Sequence, residues 1–183
     1  MKKVSVKTIV ATGIGAALFF VLGRFVAIPS GVPNTNLSIQ YGLLAFIAAV
    51  FGPIAGALAG FIGHTCIDAS FGWGIWWSWV VASAVFGCIM GFVASKLKID
   101  EGEFSVKGAL WFNFSQAVAH VISWVLVAPV LDMILFKEPA NKVFIQGITG
   151  AALNILTTAV VGTILCFAYS KAIPKKGSLT KEN

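Results

Sequence analysis

The sequence contains few charged residues and few residues of the types that carry out chemistry. Of its 183 residues, 11% are charged, seven are acidic, two are histidines and three are cysteines. It has no H-E-x-x-H or G-x-S-x-G motif, no P-loop and no paired C-x-x-C motifs. These absences argue against a membrane enzyme and against an ATPase. Energy for any active transport would therefore come from a partner or from an ion gradient.

The few cysteines are isolated from one another in apolar runs. Cys66, Cys88 and Cys166 show neither the spacing of a disulfide framework nor that of a zinc site, so we predict reduced thiols and no bound metal. The surrounding composition is 58% hydrophobic, well outside the average for soluble proteins. The sequence therefore predicts an integral membrane protein.

The basic residues flank apolar runs instead of forming a stripe. The net charge of +6 therefore indicates membrane topology and not nucleic-acid binding. The basic segment Met1–Lys7 precedes an apolar run that continues to Ile28 without a small-x-small cleavage site. We therefore expect a retained first helix and no cleaved signal peptide.

The apolar runs predict an all-α bundle of six transmembrane helices in a single membrane domain, residues 1–183. Turn signals at 29–36 and at Gly52-Pro53 separate the first three helices, and Pro129 predicts a bend in the fifth. An alternative joins the second and third helices into one long span. The predicted helices cover about 6–28, 37–51, 54–68, 75–97, 108–135 and 143–172.

The distribution of lysine and arginine predicts that both termini are cytoplasmic. With six spans and an inner N-terminus, ten basic residues fall on the inner side and three on the outer side, which satisfies the positive-inside rule. The long-span alternative would place the lysines of 96–107 outside. The inner residues are Lys2, Lys3, Lys7, Lys96, Lys98, Lys107, Lys171, Lys175, Lys176 and Lys181, and the outer ones are Arg24, Lys137 and Lys142.

Four of the six tryptophans are concentrated around one predicted outer loop, at positions 73, 76, 77 and 79. One interpretation is an aromatic belt at the interface of membrane and water. The other is a loop and helix start that close over a flat, hydrophobic ligand.

Polar residues recur at helical spacing in the fourth, fifth and sixth predicted helices. They include the stripe Asn113, Gln116, His120 and Ser123 and the series Gln146, Gly150 and Asn154. Such groups either bond between helices or face a cavity. Their convergence at the outer end predicts a pocket. The candidate binding residues are Asn34, Asn36, Gln40, Trp73, Trp76, His120, Trp124, Gln146 and Asn154.

His64 and Asp68 share a helical face, and His120 is a possible third partner. This set falls short of a catalytic motif. A hydrogen-bonded histidine and an aspartate at a helix end are the simpler interpretation.

Small residues at a spacing of four form pairs on the first helix. Ala11 lies over Gly15, Thr12 over Ala16, and Gly13 over Ala17. Such pairs let another helix approach closely, either within the same bundle or from a second subunit.

Several stretches of the sequence resemble one transporter family. These are the opening K-K-x-S-V-K-T-I-V-A-x-G-I-G-A-A-L-F-F-V-L-G-R-F, then I-P-S-G-V-P-N-T-N, F-G-P-I-A-G and the following G-H segment. They resemble the substrate-binding S components of energy-coupling factor (ECF) transporters, and more narrowly the subgroup that includes the cobalamin-specific S component. The resemblance spans nearly the whole chain.

The resemblance implies a vitamin-binding, multi-pass subunit of the bacterial plasma membrane that is not itself an enzyme. Its implied partners are the transmembrane coupling subunit EcfT and the cytoplasmic ATPases EcfA and EcfA'. It implies docking through an A-x-x-x-A-like motif, here Ala11 and Gly15 with Gly13 and Ala17 adjacent, and a substrate near the outer ends of helices four to six. Nickel and cobalt members carry a histidine after the initiator methionine. Lys2 at that position argues against free metal as the substrate.

Cobalamin is the substrate that the resemblance suggests, with no resident cofactor. Another vitamin or precursor remains an alternative. A stand-alone secondary transporter is a second alternative, although such proteins usually contain internal repeats and an ion pathway in the membrane.

Overall fold

The computed structural model describes residues 4–72 and 74–173, and most of these residues are helical. Within them, six helical runs follow one another along the chain. They are α1 Val6–Phe25, α2 Gln40–Phe51, α3 Pro53–Phe71, α4 Trp77–Leu97, α5 Val106–Leu135 and α6 Ala140–Ala172.

Among the described residues, five helices are long and apolar enough to cross a membrane, and α2 is the shorter exception. α2 has 12 residues. At 1.5 Å per residue it spans about 18 Å, less than the roughly 30 Å of a hydrocarbon core. Ten of its residues are buried, so it lies in the centre of the bundle, surrounded by other helices. The all-α membrane protein is confirmed, with five candidate membrane spans and one shorter central helix where the sequence predicts six transmembrane helices.

The break between α2 and α3 lies where the sequence predicts it. Gly52 has a φ of +89°, a conformation that favours glycine, and Pro53 begins α3 without an N–H that would need a partner. One long span over this region is therefore wrong. α3 continues to Phe71, beyond the predicted end at Asp68, and stops at Gly72 in the left-handed conformation.

The turn-rich segment after α1 folds into a small hairpin. Strand β1, Ile28–Pro29, pairs antiparallel with strand β2, Asn36–Leu37. The hairpin takes up residues predicted to end the first helix and to begin the second. α1 therefore stops at Phe25, and α2 starts at Gln40.

Both long C-terminal helices contain a π-helical segment. In α5 it covers Val121–Val127 and ends next to Pro129, which has no N–H for the helical ladder. In α6 it covers Thr158–Gly162. The predicted irregularity near Pro129 is therefore a change of helical hydrogen bonding just before the proline.

Glycines on α3 allow close contact with its neighbours on both sides. A Cβ at Gly60 would lie 2.7 Å from the backbone oxygen of Ser83 on α4, and one at Gly63 would lie 2.9 Å from that of Ala16 on α1. Neither position has room for a side chain. This packing holds α3 tightly between α1 and α4 and fixes the positions of the polar residues near its end.

Candidate functional site

A cavity of about 370 Å³ opens at the end of the bundle that carries the hairpin and the loops after α3 and α5. Its walls come from α1 to α6 and from the segment that joins α1 to α2. The lining residues are Gly23, Ala27, Asn34, Thr35, Asn36, Ser38, Gln40, Tyr41, His64, Ile67, Asp68, Phe71, Trp76, Trp79, Trp124, Asp132, Lys142, Gln146, Gly150 and Asn154.

The hairpin segment forms one side of the cavity and is bonded internally and to α6. Ser30 donates its hydroxyl to the carbonyl of Thr35 at 2.6 Å, which closes the hairpin tip. The side-chain amide of Gln146 donates to the carbonyl of Pro33 at 2.9 Å. The segment is thus attached to the last helix as well as to the helices it connects.

Asp132, near the end of α5, organises the opposite wall. Its carboxylate accepts from the Ser78 hydroxyl at 2.6 Å, from the Trp79 indole at 3.1 Å and from the Trp76 indole. The residue is 1% exposed, so these donors compensate for the loss of water around the charge. The bonds fix the orientation of two indole rings beside the cavity.

A second polar chain crosses from α2 to the loop before α4. The Ser83 hydroxyl lies 3.0 Å from the hydroxyl of Tyr41 and 2.7 Å from Nδ1 of His64. Nε2 of His64 lies 3.7 Å from Oδ1 of Asp68, beyond hydrogen-bond distance. Oδ2 of Asp68 accepts from the backbone N–H of Trp76 at 2.9 Å. The chain therefore ends at a carboxylate that also holds the start of α4 in place.

Aromatic rings line the cavity between Asp132 with its donors and the polar chain that ends at Asp68. Trp79 and Trp124 stack with centroids 5.8 Å apart and planes 16° from parallel, and Tyr41 meets Trp124 edge-on at 5.0 Å. Trp76 stacks on Phe136 at 4.7 Å. The cavity therefore combines flat apolar walls with carboxylate, amide and imidazole groups, a combination that suits a ring-containing ligand with polar edges.

The polar stripe of α5 bonds to α6. Asn113 donates to the Thr163 hydroxyl at 2.9 Å, and Gln116 donates to the carbonyl of Ile155 at 3.2 Å. His120 lies 3.1 Å from the Thr158 hydroxyl and accepts from the Trp124 indole at 2.8 Å. None of these three side chains lines the cavity. Asn113, Gln116 and His120 therefore form hydrogen bonds between α5 and α6 and do not face the cavity.

The structure brings most of the predicted binding residues together. Asn34, Asn36, Gln40, Trp76, Trp124, Gln146 and Asn154 line the cavity. His120 is a correction, because it is fully buried and bonded behind Trp124. Trp73 lies outside the described residues.

Other lining residues were not among the predicted binding residues. Tyr41, His64, Asp68, Trp79 and Asp132 all face the cavity. The shared helical face of His64 and Asp68 was a usable signal, and so was the stripe that Trp79 forms with Trp76. The role of Asp132 could not be predicted from the sequence, because its hydrogen-bond donors lie more than fifty positions away along the chain. Among the described residues, no group of three or more His, Cys, Asp or Glu side chains is arranged to hold a metal ion.

The paired small residues of α1 point in two different directions. Ala11 and Gly15 are buried, and a Cβ at Gly15 would lie 3.2 Å from the Cβ of Ala59 on α3. Gly13 and Ala17 are exposed. The expectation of docking through Ala11 and Gly15 is therefore corrected, because this pair packs against the chain's own helices.

Comparison with known proteins gives a match over nearly the whole chain. The family model of the ECF-type riboflavin transporter, S component, matches residues 3–171. The chain is 50% identical to UPF0397 proteins of Staphylococcus aureus strains MSSA476, Newman and COL, over 184 aligned positions that cover all of this chain and all of each relative. No solved structure matches the chain. The match supports the resemblance to S components, and its description names riboflavin, not cobalamin.

Proposed function

The chain belongs to the ECF-type riboflavin transporter S component family, and from this premise we propose that it is the substrate-binding subunit of an ATP-driven vitamin importer. The cavity at the hairpin end is the proposed substrate site. The observation that carries the proposal is the convergence on this cavity of side chains from α2 to α6, together with Gly23 of α1 and the hairpin segment.

The dimensions of the cavity favour a compact vitamin or vitamin precursor. Its volume of about 370 Å³ lies near the lower end of the roughly 300–1,000 Å³ typical of small-molecule sites. Cobalamin, a corrin with an attached nucleotide loop, is far larger than one or two fused rings. We therefore propose a small ring-containing substrate in preference to cobalamin. The substrate named in the family description, riboflavin, is one member of this class.

Unpartnered amides provide the polar recognition in this proposal. Among the described residues, the side chains of Asn36 and Asn154 make no hydrogen bond within the chain, although both line the cavity. Asn154 is 5% exposed, so its amide has little contact with bulk water. A ligand that bonds to the amide of Asn154 would give this largely buried group a hydrogen-bond partner, and Asn36, which is exposed, would add a second amide at the cavity edge.

The proposed orientation places the cavity outside the cell. The six-helix topology assigns ten lysine and arginine residues to the side opposite the cavity and three to the side of the cavity. By the positive-inside rule, this distribution supports the orientation. The subunit would then capture substrate from outside and deliver it after docking on EcfT, with EcfA and EcfA' hydrolysing ATP. The proposed docking surface is the exposed face of α1 that includes Gly13 and Ala17, where small residues permit close helix contact.

Identification of the small molecule that co-purifies with the detergent-solubilised chain is the direct test. We expect a vitamin or precursor whose affinity falls at least about tenfold in Asn154→Ala, since loss of a buried hydrogen-bond partner costs roughly 1–3 kcal/mol. Asn113→Ala is the matched control, because Asn113 bonds to Thr163 and does not line the cavity.

Uptake into vesicles separates this function from a stand-alone secondary transporter. Transport should require the coupling subunit, both ATPases and ATP. Full uptake by the chain alone, driven by an ion gradient, would refute the proposal.

A further inference from the structure

We propose that the substrate is a flat heteroaromatic cation and that Asp68 is its counter-ion. This inference rests on the proposed function and specifies the chemical class of the ligand. Three features of the cavity support it: its balance of charges, the unused bonding capacity of one carboxylate, and the aromatic surfaces that line the same cavity.

The cavity lining carries more negative than positive charge. Asp68 and Asp132 both line it, against a single lysine, Lys142. Lys142 already donates to the carboxylate of Glu138 at 2.7 Å, so its charge is compensated before any ligand binds. Arg24 lies over the ring of Phe71 and is not part of the lining. A cationic ligand would restore the balance, and an anionic one would face two carboxylates.

The two carboxylates differ in how many donors they already hold. Asp132 accepts three side-chain donors, divided between its two oxygens. Within the part of the chain that the structure describes, Asp68 accepts one hydrogen bond, from the backbone N–H of Trp76 to Oδ2. Its Oδ1 makes no hydrogen bond with any of the residues described in the structure, and Nε2 of His64 lies 3.7 Å from it. An ionised carboxylate has about four acceptor positions, so Asp68 retains capacity for a ligand, whereas Asp132 serves the wall.

His64, next to Asp68, is hydrogen-bonded through the ring nitrogen that faces away from the carboxylate. Nδ1 of His64 lies 2.7 Å from the Ser83 hydroxyl, which also contacts Tyr41 and donates to the carbonyl of Trp79. These bonds hold the imidazole in place while leaving its Nε2 without a hydrogen bond among the described residues. The site next to Oδ1 is therefore preformed, and its polar groups point toward the cavity.

Aromatic surfaces suited to a cation line the same cavity as this carboxylate. Asp68 accepts a hydrogen bond from the backbone N–H of Trp76. The rings of Trp79 and Trp124 stack nearly parallel to each other in the cavity wall. An aromatic cation gains from the face of a tryptophan both by stacking and by the attraction of positive charge to the ring. A carboxylate and indole faces in one cavity thus recognise both the charge and the flatness of the ligand.

The test compares charged and neutral ligands on the full-length chain in detergent. Thiamin, a permanent cation with two small aromatic rings, and riboflavin, a neutral fused-ring vitamin, are titrated by calorimetry and tryptophan fluorescence. The ligand extracted from the purified chain is identified by mass spectrometry. We expect that the extracted ligand is a cation at pH 7, and that Asp68→Asn weakens binding of this ligand, or of thiamin, at least about tenfold.

Asp68→Asn preserves the shape of the side chain and an oxygen that can accept from Trp76. The variant therefore removes the negative charge while keeping the hydrogen bond that supports the loop. Asp68→Glu should recover part of the affinity. Asp100→Asn is the control, because Asp100 lies at the opposite end of the bundle in the turn Ile99–Glu101 and does not line the cavity. If Asp68→Asn fails to fold, the charge of the ligand bound to the unmodified chain decides the inference alone.

A neutral or anionic ligand, or a cation whose affinity is unchanged by Asp68→Asn, would overturn this inference. With ATP-dependent uptake intact, either result leaves the proposed function standing. A folded chain that binds neither probe, yields no extracted ligand and supports no uptake would overturn both.

Discussion

The side-chain amide of Gln146 on α6 donates to the backbone carbonyl of Pro33 at 2.9 Å, joining positions that are 113 residues apart in the sequence. This bond links the hairpin after α1 to the last helix across the mouth of the cavity. Both groups belong to segments that border the cavity, so the bond restrains the hairpin in the position where it covers the site.

Replacement of Gln146 by alanine should loosen the hairpin before any ligand is added. We expect faster amide hydrogen exchange over residues 30–36, because one of the bonds that hold the segment is removed. Gln146→Glu should behave similarly, since an ionised glutamate has no N–H to donate. Unchanged exchange in both variants would show that the hairpin is held by its own internal bonds.

Two neighbouring tryptophans distinguish the cavity from the lipid-facing surface. Trp79 lines the cavity, whereas Trp77 is 43% exposed and stacks on Phe61. Trp79→Ala should weaken ligand binding at least about tenfold, through loss of ring contact and of the bond to Asp132. Trp77→Ala should change it less than about twofold. Calorimetric titration of both variants provides the comparison, and equal losses would indicate a general role of tryptophan at the interface.

The two faces of α1 should respond differently to a bulky residue. Gly13→Leu should reduce co-purification with the coupling subunit while the isolated chain keeps its thermal stability, because no atom outside the adjoining residues and the backbone of α1 itself lies within 4 Å of a Cβ at Gly13. Gly15→Leu should instead lower thermal stability, because its side chain would press on Ile47 and Ala59. If Gly13→Leu forms the complex normally, this face of α1 contacts only lipid.

The orientation in the membrane can be tested by labelling single cysteines in a background without the native ones. A membrane-impermeant thiol reagent should label Ala140→Cys in intact cells and should label Glu103→Cys only after the membrane is opened. The distribution of lysine and arginine is the physical basis for this expectation. The reverse pattern would place the cavity on the cytoplasmic side.

Much of the architecture could be predicted because the membrane imposes strong local constraints. An apolar run long enough to span the bilayer must satisfy its own backbone, so the long runs predicted helices. Gly52 and Pro53 marked a break for reasons local to those two residues. The helical period also placed Gln146 and Asn154 on one face, and both line the cavity.

Periodicity was less informative where a helix has neighbours on several sides. It showed that Asn113, Gln116 and His120 share a face, but the face bonds to α6 and not to the cavity. It likewise produced three pairs of small residues on α1 without showing which of them are buried. A helical face can be read from spacing alone, whereas the neighbour it meets depends on how all the helices pack.

The sequence by itself therefore determined that this chain is a helical membrane protein, where most of its helices break, and which residues share a face. Only the tertiary structure decided that Asp132 binds Trp76, Ser78 and Trp79, and that Asp68 lines the cavity while it accepts from the backbone of Trp76. The physical reason is the range of the interactions. The length of an apolar run and the backbone hydrogen bonds of a helix depend on residues that are close in sequence. The hydrogen bonding of a buried carboxylate depends instead on groups that folding brings from distant parts of the chain.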